Sequence, residues 1–239
     1  MKNQYKIVSA LGLSLLVTLS SCNFNCISGS GRRVTENRSV GNFTKVEFGG
    51  NIRLKVKQDS VSSMRITADD NIQREIKTRV KGDVLQIKMD GNFCNTGLIE
   101  IELSSKEWKG IEASGACQIY TENQLHTNNF MLDLSGSSKV VMDIVAGRMR
   151  TSSSGSAKVK LTGQAGAHDV DLSGAAEIQA YDFVVGNYNI ETSGSSDCAI
   201  NVLNSLNVQS SGASKILYKG NPKNVHHDES GAATLKHVE

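Results

Sequence analysis

The chain has 239 residues, and its 26 Lys and Arg against 24 Asp and Glu leave a formal charge of only +2. That near balance gives no basic excess for nucleic acid, so no nucleic-acid partner is expected. One proline and 22 glycines, without proline tracts or charge blocks, suit tight turns in a folded chain rather than disorder.

In chain order, the first feature is an export signal. Lys2 and Lys6 precede an apolar run of 13 residues, 7–19, too short for a hydrocarbon core that needs roughly 20 and the right size for a secretory h-region. The run ends in Leu19-Ser20-Ser21-Cys22, which resembles the lipobox of bacterial lipoproteins. The resemblance implies that residues 1–21 are removed and that Cys22 becomes the lipidated first residue, leaving 239 − 21 = 218 residues. Two or more acyl chains hold a protein stably on a bilayer, so the expected membrane partner is reached through the N-terminus without a transmembrane helix.

Residues 22–33, rich in Asn, Ser and Gly, are expected to form a flexible tether. Residues 34–110 read as an N-terminal β region. Lys45 to Phe48, Ile52 to Lys57, Met64 to Thr67 and Val84 to Met89 alternate apolar with polar side chains, as half-buried strands do. Asp69 to Ile76, with acidic residues and Asn first and apolar residues four apart, predicts one short helix. Lys81-Gly82-Asp83 predicts a hairpin turn.

Residues 111–239 carry a repeat. The tetrad Ser-Gly-small-small occurs seven times, with its glycines at 115, 136, 155, 174, 194, 212 and 231, spaced 21, 19, 19, 20, 18 and 19 apart. A period near 19 is too short for two-helix repeats and suits one coil of a parallel β-solenoid. Four residues before each glycine stand Ile111, Leu132, Thr151, Val170, Ile190, Val208 and His227; four after stand Ile119, Val140, Val159, Ile178, Cys198, Ile216 and Leu235. Both columns are expected to point inward and stack at about 4.8 Å per coil, so that seven coils span about 30 Å. Positive φ is expected at the corner glycines, a hydroxyl ladder along the corner serines, and the N-terminal strands as a cap on one end.

Cys26 and Cys94 are candidates for a disulfide in an oxidising envelope, a pairing that sequence leaves open. Cys117 and Cys198 occupy repeat columns and read as small packed residues; no zinc spacing is present. Together with Leu217-Tyr218-Lys219-Gly220-Asn221-Pro222-Lys223 before the last tetrad, these repeats resemble the autotransporter adhesin head domain, also called the GIN domain, found in lipoproteins of Bacteroidetes. The resemblance covers roughly residues 40–239. It implies an all-β, right-handed parallel β-helix-like solenoid in the cell envelope and an adhesive role; it supplies no catalytic residues. Most members alternate Ser-Gly-Ser-Gly, whereas here Ala or Ser replaces the second glycine in every tetrad but the first, which has Cys117. The residues after Cys22 are Asn23, Phe24 and Asn25 rather than the acidic stretch associated with surface export.

Seven equivalent turn serines lack the single activated nucleophile and histidine base of a hydrolase. His226, His227, Asp228 and Glu229 alternate sides of an extended segment and make a poor metal centre. Three residues before each glycine stand Glu112, Asp133, Ser152, Asp171, Glu191, Gln209 and Asp228, an outward row in which Glu112 with Asp133, or Asp171 with Glu191, are weak candidates for calcium. Against this, exposed carboxylates remain solvated or meet Lys139, Lys158 and Lys215. Trp108, Tyr120, Tyr181, Tyr188 and Tyr218 are the aromatic candidates for stacking sugars, without forming a close cluster. No cofactor is expected. The leading expectation is a non-enzymatic, lipid-anchored binding scaffold for a glycan or protein. A polysaccharide-active enzyme and a structural or assembly role in the envelope are the alternatives; coils of near-minimal length leave little room for the loops an enzyme groove needs.

Overall fold

The computed structural model describes residues 26–239; the expected export signal and Cys22 lie outside them. In chain order the elements are β1 (Ile27–Ser28), β2 (Arg33–Arg38), β3 (Lys45–Gly49), β4 (Ile52–Gln58), β5 (Ser63–Asp69), α1 (Asp70–Gln73), β6 (Ile76–Lys81), β7 (Val84–Met89), β8 (Phe93–Asn95) and β9 (Ile99–Ser105). The repeat region follows as β10 (Gly110–Thr121), β11 (Leu125–Ser153), β12 (Ser156–Leu172), β13 (Ala175–Gly194), β14 (Asp197–Gly212), β15 (Lys215–Lys219), β16 (Asn224–Gly231) and β17 (Thr234–His237). The short helix and the hairpin at Gly82 are both present.

The tetrads stack as the period predicts. Ser114 and Gly115 lie beside Ser135 and Gly136, Ser193 and Gly194 beside Ser211 and Gly212, and these beside Ser230 and Gly231, in parallel register throughout. β11, at 29 residues, exceeds one period and wraps around the coil instead of running straight. Both inward columns are buried through six coils; only His227 and Leu235, on the last coil, are partly exposed. Each buried Val, Leu or Ile contributes roughly 1.5–3 kcal/mol relative to exposure, so the ladder of side chains down the axis supplies most of the cohesion.

The reason for glycine at the corner differs from the expectation. Gly115, Gly136, Gly212 and Gly231 have positive φ, but Gly155, Gly174 and Gly194 do not. What the corners share is close approach between coils. A Cβ on Gly155 would stand 2.1 Å from the Gly136 carbonyl oxygen, one on Gly174 2.4 Å from that of Gly155, and one on Gly194 2.3 Å from that of Gly174. A second column, Gly147, Gly166 and Gly186, repeats this relation elsewhere on the coil, with 2.7 and 2.6 Å separating the added Cβ from the glycine oxygen below.

The corner serines do not form a hydroxyl ladder. They are exposed, and the one side-chain bond among them runs from Ser211 Oγ to the Thr192 carbonyl at 3.3 Å. At this bend the outward direction points the hydroxyl at water. The paired hydroxyls are inside, where Thr192 meets Ser210 at 2.9 Å and Thr151 meets His168 Nε2 at 2.9 Å.

The N-terminal region caps the solenoid and also lengthens it. β3 and β4 pair in parallel with the two halves of β10, and β7 and β9 pair in parallel with β3 and β4. Two further rungs therefore precede the first tetrad, with Gly50 packed beneath Gly115 at the corner. The cap itself is antiparallel: β6 closes β7, β5 closes β9, and β2 covers β5. Trp108 is fully buried beneath these rungs, its Nε1 donating to the Lys57 carbonyl at 2.9 Å and its ring edge-on to Phe43.

Residues 26–33 are held against the body, contrary to the expected tether. Cys26 is bonded to Cys94, β1 pairs with β8, Gly31 N donates to Asp69 Oδ2, and Ser30 and Arg32 both bond Asp70. Hydrogen bonds from Ser30 and Arg32 hold the Asp70 carboxyl at about 2, below the usual carboxylate range. Asn, Ser and Gly mark this segment as turn-rich, but its polar groups find partners in α1 and β8.

Candidate binding surface

Alternation along each strand puts every second side chain outside, and parallel in-register pairing turns a position in the repeat into a row. The acidic positions do form such a row. Glu47 lies beside Glu112, Glu112 beside Asp133, Asp171 beside Glu191, and Gln209 beside Asp228. Gln86 continues it and donates from Nε2 to Glu47 at 2.7 Å.

The predicted lysine partners stand elsewhere. Lys139, Lys158 and Lys215 occupy a row three residues after the corner, where Lys158 pairs with Glu177 at 2.7 Å. The corner turns this row away from the acids, so Glu112, Asp133, Asp171 and Glu191 make no ion pair among the described residues. Nor do three His, Cys, Asp or Glu side chains among the described residues gather as a metal ion requires. The candidate calcium residues are thus brought together only as neighbouring pairs in a solvent-facing row. His226 and Asp228 are exposed, while His227 Nε2 lies 3.5 Å from Glu229.

The acidic row borders two concavities. One, about 740 Å³, lies between Glu47, Glu112 and Asp133 on the solenoid and Phe93, Cys94 and Asn95 on the disulfide-bound loop. The other, about 340 Å³, lies toward the last coils among Asp171, Glu191, Gln209 and Asp228. The sequence signalled the acids by their spacing, but not the loop opposite them, because contacts distant in sequence, among them the Cys26–Cys94 bond and the β1–β8 pairing, set its position.

The aromatic candidates separate. Trp108 and Tyr188 belong to the interior; Tyr120 bonds Gln118, and Tyr218 stacks at a tilt on His237 with centroids 5.0 Å apart. Tyr181 is partly exposed, with Lys219 Nζ 5.1 Å from its ring centroid. Cys117 and Cys198 are buried free thiols, as their columns predict. Burial pushes them up to about 11 and about 12, removing the thiolate that reactivity needs.

This stacked architecture and its serine-glycine corners coincide with a known family. Residues 42–222 match the family described as "Putative auto-transporter adhesin, head GIN domain". The chain belongs to this family. Among solved structures, the GIN-domain chain is similar to a "putative adhesin" from Bacteroides fragilis, with 24% identity and a TM-score of 0.80, covering 89% of this chain and 100% of that one. A "putative adhesin" from Parabacteroides distasonis is 20% identical with a TM-score of 0.72, covering 90% and 100%. A "putative lipid binding protein" from the same species is 18% identical with a TM-score of 0.66, covering 89% and 99%. No curated protein matches the sequence. At these identities the likeness concerns the fold. Among the described residues no helix is long and apolar enough to cross a membrane.

Proposed function

We propose that this GIN-domain protein is a non-enzymatic envelope protein, anchored through lipid on Cys22, whose solenoid presents a rigid outer face for adhesion. The observation that carries this reading is the in-register stacking of outward positions. Equivalent side chains recur from coil to coil on a backbone whose corners leave no slack. Such a face is already organised before contact, so less conformational entropy is lost on binding. Family membership supports the adhesive role, and the lipobox-like Leu19-Ser20-Ser21-Cys22 supports the anchor.

The test joins location to binding. Intact cells treated with protease should lose the protein if it is displayed outward, and purified protein should be retained on immobilised polysaccharides or host surface proteins without cleaving them. Turnover of a polysaccharide would reject the non-enzymatic reading. For the anchor, Cys22→Ser should release the protein from the membrane fraction and abolish incorporation of labelled fatty acid; unchanged membrane retention would reject lipidation at this position.

A further inference from the structure

The coil between Gly174 and Gly194 is 20 residues long, one more than each of the two coils before it, and the extra length is localised. Ala180 pairs with Ile200 while Val184 pairs with Asn201, so Tyr181, Asp182 and Phe183 have no ladder partner on β14. Bulges of this kind re-aim side chains. Phe183 turns fully inward against His168, whereas Tyr181 and Asp182 project outward.

The projection forms one wall of a groove of about 440 Å³. Its floor is the outward row Lys160, Gln179, Ala199 and Leu217, adjacent in register from β12 to β15. Asp197 and Lys215 stand beside each other on the opposite wall. Lys219 Nζ stands 5.1 Å from the Tyr181 ring centroid and does not line the groove. Glu177 is committed to Lys158 and Gln179. That leaves two ammonium groups, Lys160 and Lys215, and two carboxylates, Asp182 and Asp197, none in an ion pair among the described residues.

We propose that this groove is a binding subsite for one pyranose ring of an uncharged glycan. The Tyr181 ring at the wall and the apolar side chains of Ala199 and Leu217 on the floor suit the C–H face of a sugar, whose hydrogens are drawn to the negative face of an aromatic ring. Acceptors and donors at the rim suit the hydroxyls around its edge. Balanced charge distinguishes this groove from the acidic concavities and selects against polyanions and polycations alike. The volume lies within the range of small-molecule sites, about 300–1,000 Å³.

The subsite rests on the adhesive reading and is tested separately from it. The full mature chain is titrated with the methyl glycosides of glucose, galactose, mannose and N-acetylglucosamine and with short oligosaccharides of each, following backbone amide NMR signals. The expected result is saturable shifts confined to residues near Tyr181, Asp197 and Leu217, retained in Tyr181→Phe and weakened about three- to tenfold in Tyr181→Ala, the order expected for a lost stacking contact. Ala199→Arg fills the groove from an outward position and should abolish the shifts even if Tyr181→Ala fails to fold. Absence of shifts with every sugar, or shifts that persist in Ala199→Arg, overturns the subsite. If no sugar gives shifts while the native chain is still retained on polysaccharide or cells, the subsite falls and the adhesive reading stands; if the native chain shows no retention on any surface, the adhesive reading itself falls.

Discussion

At the scale of the residue, the corner glycines separate two physical demands that sequence merges. Gly155 has no positive φ, yet an added Cβ would meet the Gly136 carbonyl oxygen at 2.1 Å. Gly155→Ala should therefore destabilise the protein by about 1–3 kcal/mol, as forced overpacking does. Gly41→Ala, in open space, should stay within about 0.5 kcal/mol. Urea midpoints of the two variants provide the comparison, and equal midpoints would show that the coils can spread. His168 supplies the pH counterpart. It is fully buried, bonds Thr151 through Nε2, leaves Nδ1 without a partner among the described residues, and is pushed by burial from 6.5 to about 3. Because its folded value is depressed, the unfolded chain takes up the proton first. Its stabilising effect is complete above about pH 6.5 and declines toward pH 3, by roughly 4–5 kcal/mol over the full interval. The urea midpoint should fall between pH 7 and pH 4, and Thr151→Val with His168→Leu should flatten that decline. An equally steep decline in the double variant would assign the acid sensitivity to other groups.

The elements show how a local bond acts on a long-range ladder. The Cys26–Cys94 disulfide spans 68 residues and fastens β1 and β8, a two-stranded sheet separate from the solenoid ladder. Closing a loop of that length stabilises by about 4 kcal/mol in the chain-entropy account, with 2–4 typical in practice. Cys26→Ser with Cys94→Ser should lower the denaturation midpoint accordingly, while circular dichroism retains its β signal because β3, β4, β7 and β9 keep their partners. Loss of the β signal would mean that the loop organises the cap. The buried thiols give an independent check. Cys117 and Cys198 should resist iodoacetamide at pH 8 in the native protein and react fully in urea. The hairpin at Gly82 was legible because a Lys-Gly-Asp turn joined two alternating strands. The rungs of β3 with β4 and β7 with β9 were not, since Gly49-Gly50 replaces the tetrad between β3 and β4, residues 90–98 replace it between β7 and β9, and their partners are distant in sequence.

Across the whole molecule, the two ends of the ladder are finished differently. The N-terminal end is covered by antiparallel β2, β5 and β6, whereas β16 and β17 have no outer partner among the described residues. There the inward positions change character: His227 replaces the aliphatic column and lies 3.5 Å from Glu229. Inward charge on an edge strand opposes pairing with another chain, because a second strand would bury it. His227→Val with Glu229→Val should therefore promote self-association, read as a rise in mass by light scattering; a monomeric double variant would place the protection elsewhere.

The sequence by itself determined the coil. A corner every nineteen or so residues, with aliphatic side chains four residues to either side, admits few backbone arrangements that bury one face, and the parallel stack is the one observed. The one-residue excess of the Gly174 to Gly194 coil over the two before it was also visible, but not where the chain would absorb it. Tertiary structure decided what depends on neighbours in space: which glycines answer to a carbonyl below them, that residues 26–33 are bound, that the acids and lysines lie on opposite sides of a corner, and that Tyr181 stands over a groove. These are contacts between coils, and a linear period records the repeat of a coil without recording what the next one brings against it.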